Sequence, residues 1–143
     1  MVSICIREFS YPQDYLHAIK LWQAIEKGIH MGPSDTPVEI EKKLKRDPDL
    51  FLVAEADGRL IGTVIGGYDG RRGFIYHLAV GHAHRGNGVG GRLMEEVEKR
   101  LRSKGCLRCY LFVTPDNEEA KRYYERRGWQ LMDNLPYAKD LQS

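Results

Sequence analysis

The sequence predicts a mixed α/β (α+β) fold: a mixed central sheet of six to seven strands flanked by four helices. Three observations predict it: short apolar runs with alternating polar residues, longer runs with apolar residues at helical spacing, and glycine turns at the junctions. The predicted order is one strand, two helices, three strands, a helix, a strand, a helix and a terminal hairpin of one or two strands. No internal repeat occurs, and no Pro/Ser/Gly linker separates two apolar cores, so the 143 residues read as a single domain over 1–143.

Each element has its own signal. "SICIREF" alternates as a half-buried strand does. Ser10 with Gln13 three residues on resembles a capping box, and Tyr15, Ile19, Trp22, Ile25 and Ile29 then recur at helical spacing, fading near Gly28. "HMGPSDTP" is a loop of breakers and cappers, and Pro37 is well placed to open a second, charged helix. "LFLVAEADGRLIGTVIGGYDG" and "GFIYHLAV" give a strand, an Asp57-Gly58 hairpin turn and two more strands, an antiparallel meander. The next helix buries Val89, Leu93, Val97 and Leu101, pairs Glu95 with Lys99 and Glu96 with Arg100 on its wet side, and ends at Gly105. "CLRCYLFV" is a strand, "DNEEAKRYYERRG" a helix closed by Gly128, and "WQLMDNLPYAKDL" the terminal hairpin.

Composition narrows the function. A formal charge of +2 and a pI near 8.4 are too balanced for a protein that coats nucleic acid or an anionic membrane. The opening "MVSICIREFS" has neither a signal-peptide pattern nor a spanning segment, so a cytoplasmic location is expected. Three cysteines fit a reducing compartment. Cys106 and Cys109 form a CxxC, but in a strand alternation sends them to opposite faces, and no metal site or redox pair is expected.

The informative stretch is "VGHAHRGNGVGGRLMEEVEKR". A strand that passes through glycines into a helix turns free backbone N–H groups and the positive end of the helix dipole towards one spot, which suits phosphate. The N–H groups of Gly86, Asn87, Gly88, Val89, Gly90 and Gly91 are candidates to cradle it, with Arg85 and Arg92 adding charge. A triphosphate-binding loop would need Lys followed by Ser or Thr, and Arg92-Leu93 stands there instead. A dinucleotide fingerprint is met on paper by Gly86, Gly88 and Gly91, but it follows a meander instead of opening the sheet, with too little chain after it.

The residues Arg85-x-x-Gly88-x-Gly90 resemble the acetyl-CoA signature Q/R-x-x-G-x-G/A of the GCN5-related N-acetyltransferases, the GNAT family. A second block follows in the family's order: Asn117, Ala120, Tyr123, Tyr124, Gly128 and Trp129 meet N-x-x-A-x-x-F/Y-Y-x-x-x-G-F/W/Y. The resemblance runs from Ile4 to about Leu135 and is close to the small bacterial members of the YpeA kind.

It implies a GNAT fold with a splay between the fourth and fifth strands, where the pantetheine arm of acetyl-CoA inserts. The backbone of Leu78, Ala79 and Val80 would hold that arm and polarise the thioester carbonyl. The resemblance assigns Asn117 to the cofactor and makes Tyr124 the acid towards the departing thiolate. Some family members carry a glutamate base five residues before the asparagine, where this chain has Phe112. His77 is the nearest titratable alternative. Trp22, Glu26, His30 and Met31 are candidates for the acceptor pocket.

The implied activity is direct acetyl transfer from acetyl-CoA, as cosubstrate and without metal, to a small-molecule amine or a protein amino group. No nucleic-acid or membrane partner is expected, and the chain would be a monomer or homodimer. The rivals are a non-catalytic acetyl-CoA-binding or sensing module and a nicotinamide-dependent oxidoreductase.

Overall fold

The structure is a computed structural model that describes residues 3–142. The chain divides into two compact units, 1–112 and 113–143. The first holds β1 (Ile4–Glu8), α1 (Tyr15–Ala24), a 3-10 turn (Pro33–Asp35), α2 (Pro37–Arg46), β2 (Phe51–Ala56), β3 (Arg59–Tyr68), β4 (Gly73–Val80), a 3-10 turn (His82–His84), α3 (Val89–Ser103) and β5 (Cys109–Tyr110). The second holds α4 (Glu118–Arg126). Among the described residues no helix is long and apolar enough to cross a membrane.

The sheet runs β1-β2-β3-β4-β5, antiparallel except for the last pair, which is parallel. Its two faces carry different partners. Ile65 packs with Trp22, Ala18, Ile40 and Phe51, the cluster beneath α1 and α2. Its neighbour Gly66 turns the other way, where an added Cβ would lie 2.7 Å from Val97 Cγ2. The absence of a side chain at Gly66 lets α3 lie close to the sheet and bury Val89, Leu93, Met94, Val97 and Leu101. The Glu96–Arg100 pair forms as expected, at 2.9 Å.

Helix ends follow local chemistry. Pro37 opens α2 at its first position. After α3 the amides of Gly105 and Cys106 return to the carbonyls of Arg102 and Leu101, a Schellman end. The start of α1 differs from the expected capping box. Asp14, not Ser10 with Gln13, organises it: its carboxylate accepts the Ser10 amide at 2.7 Å and a two-pronged guanidinium from Arg7 at 2.7 and 2.9 Å. Burial alone would raise the Asp14 pKa, but Arg7 and the Ser10 amide outweigh it and hold the carboxyl below its ordinary value.

Three expectations need correction. The described residues contain five strands, not six or seven, because Trp129–Leu141 forms no strand; its Leu131, Leu135, Tyr137 and Leu141 remain exposed, so no buried face fixes a register there. The strand foreseen over Cys106–Val113 shrinks to Cys109–Tyr110. Cys106 therefore precedes the strand, alternation does not apply to it, and its Sγ lies 3.8 Å from Cys109 Sγ instead of on the opposite face. Burial pushes the Cys109 thiol up to about 12, with Cys106 beside it adding to the shift, which disfavours the reactive thiolate.

Candidate active site

The glycine turn meets the physical requirements of an anion site. Gly88 is the N-cap of α3 in the left-handed conformation, φ +78°, and Gly86 shares it at +80°. With no side chain at the cap, no side-chain hydrogen bond closes the helix start, and its first turn holds no acid. Residues 85–88 are exposed, whereas Val89 is buried and anchors the turn. Arg85 Nε donates to the Val80 carbonyl at 3.2 Å and ties the turn to the end of β4. Arg92 is turned elsewhere, its Nη1 donating to the Ile4 carbonyl at 2.9 Å.

Strand β4 supplies an open backbone edge. It pairs with β5 only at Gly73↔Cys109 and Phe74↔Tyr110, while its pairing with β3 continues to Val80. Past Phe74, alternate residues of β4 therefore direct N–H and C=O groups away from β3 with no strand partner among the described residues. Leu78, Ala79 and Val80 lie in this stretch. The β3–β4 ladder also slips between Thr63 and Ile65, where an extra residue bulges from β4. A bulge bends its strand and strengthens the local twist, and the β4–β5 ladder stops just ahead of it, at Phe74.

His77 sits at the bulge with φ +53°, uncommon for a residue with a side chain. Its ring turns towards the α1 face and stands edge-on to Trp22, centroids 4.6 Å apart. Trp22 Nε1 donates to Thr63 Oγ1 at 2.9 Å, and Thr63 Oγ1 donates to the His77 carbonyl at 2.8 Å, so two buried side chains fix the bulged backbone. Trp22 is thus core and scaffold at once.

The ring itself is held by Asp35, whose Oδ1 lies 2.9 Å from His77 Nε2; the two side chains are 7% and 13% exposed. The other carboxylate oxygen accepts the Gly32 amide at 3.1 Å, and Tyr15 Oη donates to the Asp35 carbonyl at 2.8 Å. A carboxylate accepts only, so the neutral imidazole carries its hydrogen on Nε2 and presents the Nδ1 lone pair. This pair was not foreseen. The Pro33-Ser34-Asp35-Thr36-Pro37 run shows turn chemistry, and nothing local marks its aspartate as buried against a strand more than forty residues away.

In the second unit, Asn117 is the N-cap of α4, its Oδ1 accepting the Ala120 amide at 3.1 Å. Gly128 and Trp129 close the helix by returning amides to Glu125 and Tyr124. Tyr124 is half-buried between Tyr123 and Trp129, with ring centroids 5.2 and 6.0 Å away. Burial, then its neighbour Tyr123, pushes its pKa up to about 12. A phenol so placed stays protonated at neutral pH and keeps its O–H hydrogen.

The described residues contain no group of three or more His, Cys, Asp or Glu side chains arranged for a metal. The chain resembles an acetyltransferase of Pectobacterium atrosepticum, 39% identical over 90% of this chain and 89% of the relative, and one of Sodalis glossinidius, 38% identical over 91% and 89%. Among solved structures it is similar to Ard1 from Thermoplasma volcanium, with TM-score 0.79, 29% identity and coverage of 92% of this chain and 85% of the other. The PaiA N-acetyltransferase of Thermoplasma acidophilum, crystallised with coenzyme A, shares the fold at TM-score 0.79 and 24% identity, over 93% of each chain. The model of the acetyltransferase (GNAT) family matches residues 15–129, and with these relatives it shows that the chain belongs to that family, enzymes that transfer acetyl from acetyl-CoA to an amine.

Proposed function

We propose that the chain acts, as one domain over 1–143, as a cytoplasmic N-acetyltransferase, monomeric or homodimeric, in which a primary amine attacks acetyl-CoA directly within a ternary complex. The observation that carries this reading is His77, turned by the β4 bulge onto the α1 face and held there by Asp35, next to a strand edge left open by the fifth strand.

The turn suits the cosubstrate. Its exposed, uncapped helix start, with left-handed glycines at 86 and 88, fits a pyrophosphate, and the open edge of Leu78, Ala79 and Val80 fits an amide-bearing arm. The coenzyme A held by the PaiA protein supports the same cosubstrate here. Bound acetyl-CoA supplies an activated acyl carbon and a thiolate leaving group.

His77 Nδ1 takes the proton that the amine loses as its nitrogen bonds to the acyl carbon and the carbon–sulfur bond breaks. Asp35 stabilises the imidazolium that results. A backbone N–H of the Leu78–Val80 edge donates to the carbonyl oxygen as charge builds there. The Asn117 amide nitrogen assists in holding the cosubstrate. Tyr124 donates to the departing sulfur. With a pKa of about 12 against about 8.5 for a free thiol, its complete proton transfer is uphill. Its larger contribution is the hydrogen bond, and the proton received by His77 ends on the thiol through solvent.

Thermal shift with acetyl-CoA, and with coenzyme A, NAD and ATP beside it, tests the cradle. A ligand at a hundred times its Kd adds about 2.7 kcal/mol to folding stability, enough for a clear rise in Tm. A shift with acetyl-CoA and coenzyme A alone supports the reading. No shift, or one with NAD instead, overturns it.

A further inference from the structure

Beside His77 lies a cleft of about 610 Å³, within the first unit, that the transfer chemistry does not use. Its volume is that of a small-molecule site. Tyr68, Phe74, Tyr76 and Tyr110 are its aromatic lining, and the Tyr76 ring stands edge-on to His77 with centroids 6.0 Å apart, so the cleft adjoins the base.

Its charges are unevenly matched. Lys43, Arg46 and Arg72 line it together with two carboxylates, Asp47 and Asp69. Asp47 is shared, with Lys43 Nζ at 2.8 Å and Arg46 Nε at 3.3 Å from one oxygen. Asp69 Oδ1 accepts the backbone amides of Arg71 and Arg72 at 2.8 and 2.7 Å. The Arg72 guanidinium has no carboxylate within 4.0 Å among the described residues; it donates to Tyr110 Oη at 3.1 Å and lies 5.7 Å from that ring's centroid. Held at the Tyr110 hydroxyl, with N–H groups left over, it has the fork that a carboxylate or phosphate can meet with two parallel hydrogen bonds.

We propose that this cleft binds the acceptor, and that the acceptor is a small primary amine bearing a carboxylate or phosphate on an apolar or aromatic body. The anion sets against Arg72, the body lies along Tyr76 and Phe74, and the amine faces His77. This rests on the acetyltransferase reading above.

The test compares kcat/KM for matched amines: 4-(aminomethyl)benzoate against benzylamine, tyrosine against tyramine, and O-phosphoethanolamine against ethanolamine. The first two pairs report a carboxylate and the third a phosphate. At least one anionic member is expected to exceed its neutral partner about tenfold or more, the worth of one charge-assisted hydrogen bond. Arg72→Gln is expected to narrow that ratio to about threefold or less. Acetyl-CoA affinity, measured by calorimetry, serves as the folding control for the variant.

Equal or better use of the neutral amines overturns the proposal, as does an unchanged ratio in Arg72→Gln. Failure of all anionic members while acetyl-CoA binds, or acetylation of peptides in their place, overturns it too. Failure to bind acetyl-CoA at all would instead overturn the functional reading beneath it.

Discussion

Replacing Asp35 by Asn keeps the side chain's shape and removes its charge. In the native protein both carboxylate oxygens accept, Oδ1 from His77 Nε2 at 2.9 Å and Oδ2 from the Gly32 amide at 3.1 Å. An amide cannot satisfy both donors. If its oxygen stays with His77, its NH2 group faces the Gly32 N–H; if it flips, the NH2 donates to Nε2, the ring hydrogen moves to Nδ1 and the base is lost. In the first arrangement the imidazolium formed during transfer still loses its counter-charge. A hydrogen bond to a charged group contributes about 1.5–3 kcal/mol, so kcat is expected to fall roughly 10- to 150-fold. The assay is steady-state thiol release with saturating acetyl-CoA, run well below the Tm of the variant, because the unsatisfied Gly32 amide also costs about 1–3 kcal/mol of stability. In a His77→Gln background the same substitution is expected to lower kcat by about twofold or less, since the two residues act as one unit. A single variant within about twofold of the native rate, or full additivity in the double variant, would refute the assignment.

Four further outcomes follow from the same structure. Tyr124→Phe is expected to lower kcat about 10- to 100-fold with little change in acetyl-CoA Kd, since its hydrogen bond to sulfur strengthens only as the thiolate forms; equal losses in both would remove Tyr124 from the chemistry. Gly88→Val places a β-branched residue at φ +78°, where no atom of the described residues beyond its chain neighbours lies within 4 Å of the new Cβ; calorimetry is expected to show acetyl-CoA affinity reduced about tenfold or more from the strained and blocked turn, with unchanged affinity moving the phosphate site elsewhere. Gly66→Ala meets Val97 Cγ2 at 2.7 Å and is expected to cost about 1–3 kcal/mol in urea unfolding, with acetyl-CoA still bound. Because Arg7 and the Ser10 amide hold the folded Asp14 pKa below its unfolded value near 3.9, its stabilisation is present above about pH 4 and lost as pH falls through the folded pKa; Asp14→Asn is expected to lower stability at neutral pH and to flatten the acid limb of the unfolding curve.

Much of this architecture is legible in the sequence because it is written locally. The Asp57-Gly58 turn, the proline that opens α2, the apolar stripe of α3 and the glycines at 105 and 128 each act through neighbours in the chain, and all form where expected. The left-handed conformation of Gly86 and Gly88 is local in the same way. What escaped the sequence depends on distant partners. Asp35 is read as turn chemistry until β4 arrives beside it, and the bulge at His77 is invisible because an extra residue in a ladder leaves alternation intact on either side. The short β5 and the nearness of Cys106 to Cys109 depend on how far pairing with β4 runs, which no pattern inside "CLRCYLFV" encodes. The terminal segment alternates well enough to suggest a hairpin, yet its apolar side chains stay exposed and no pairing results.

The most direct test follows both products of one reaction. The protein is mixed with acetyl-CoA and a panel of primary amines, and free thiol and acetylated amine are measured in the same samples, with His77→Gln alongside. Both are expected to appear in equal amounts, only when amine is present, and His77→Gln is expected to slow both together. Thiol release without acetylated amine, or transfer that proceeds unchanged in His77→Gln, would contradict direct transfer with His77 as the base.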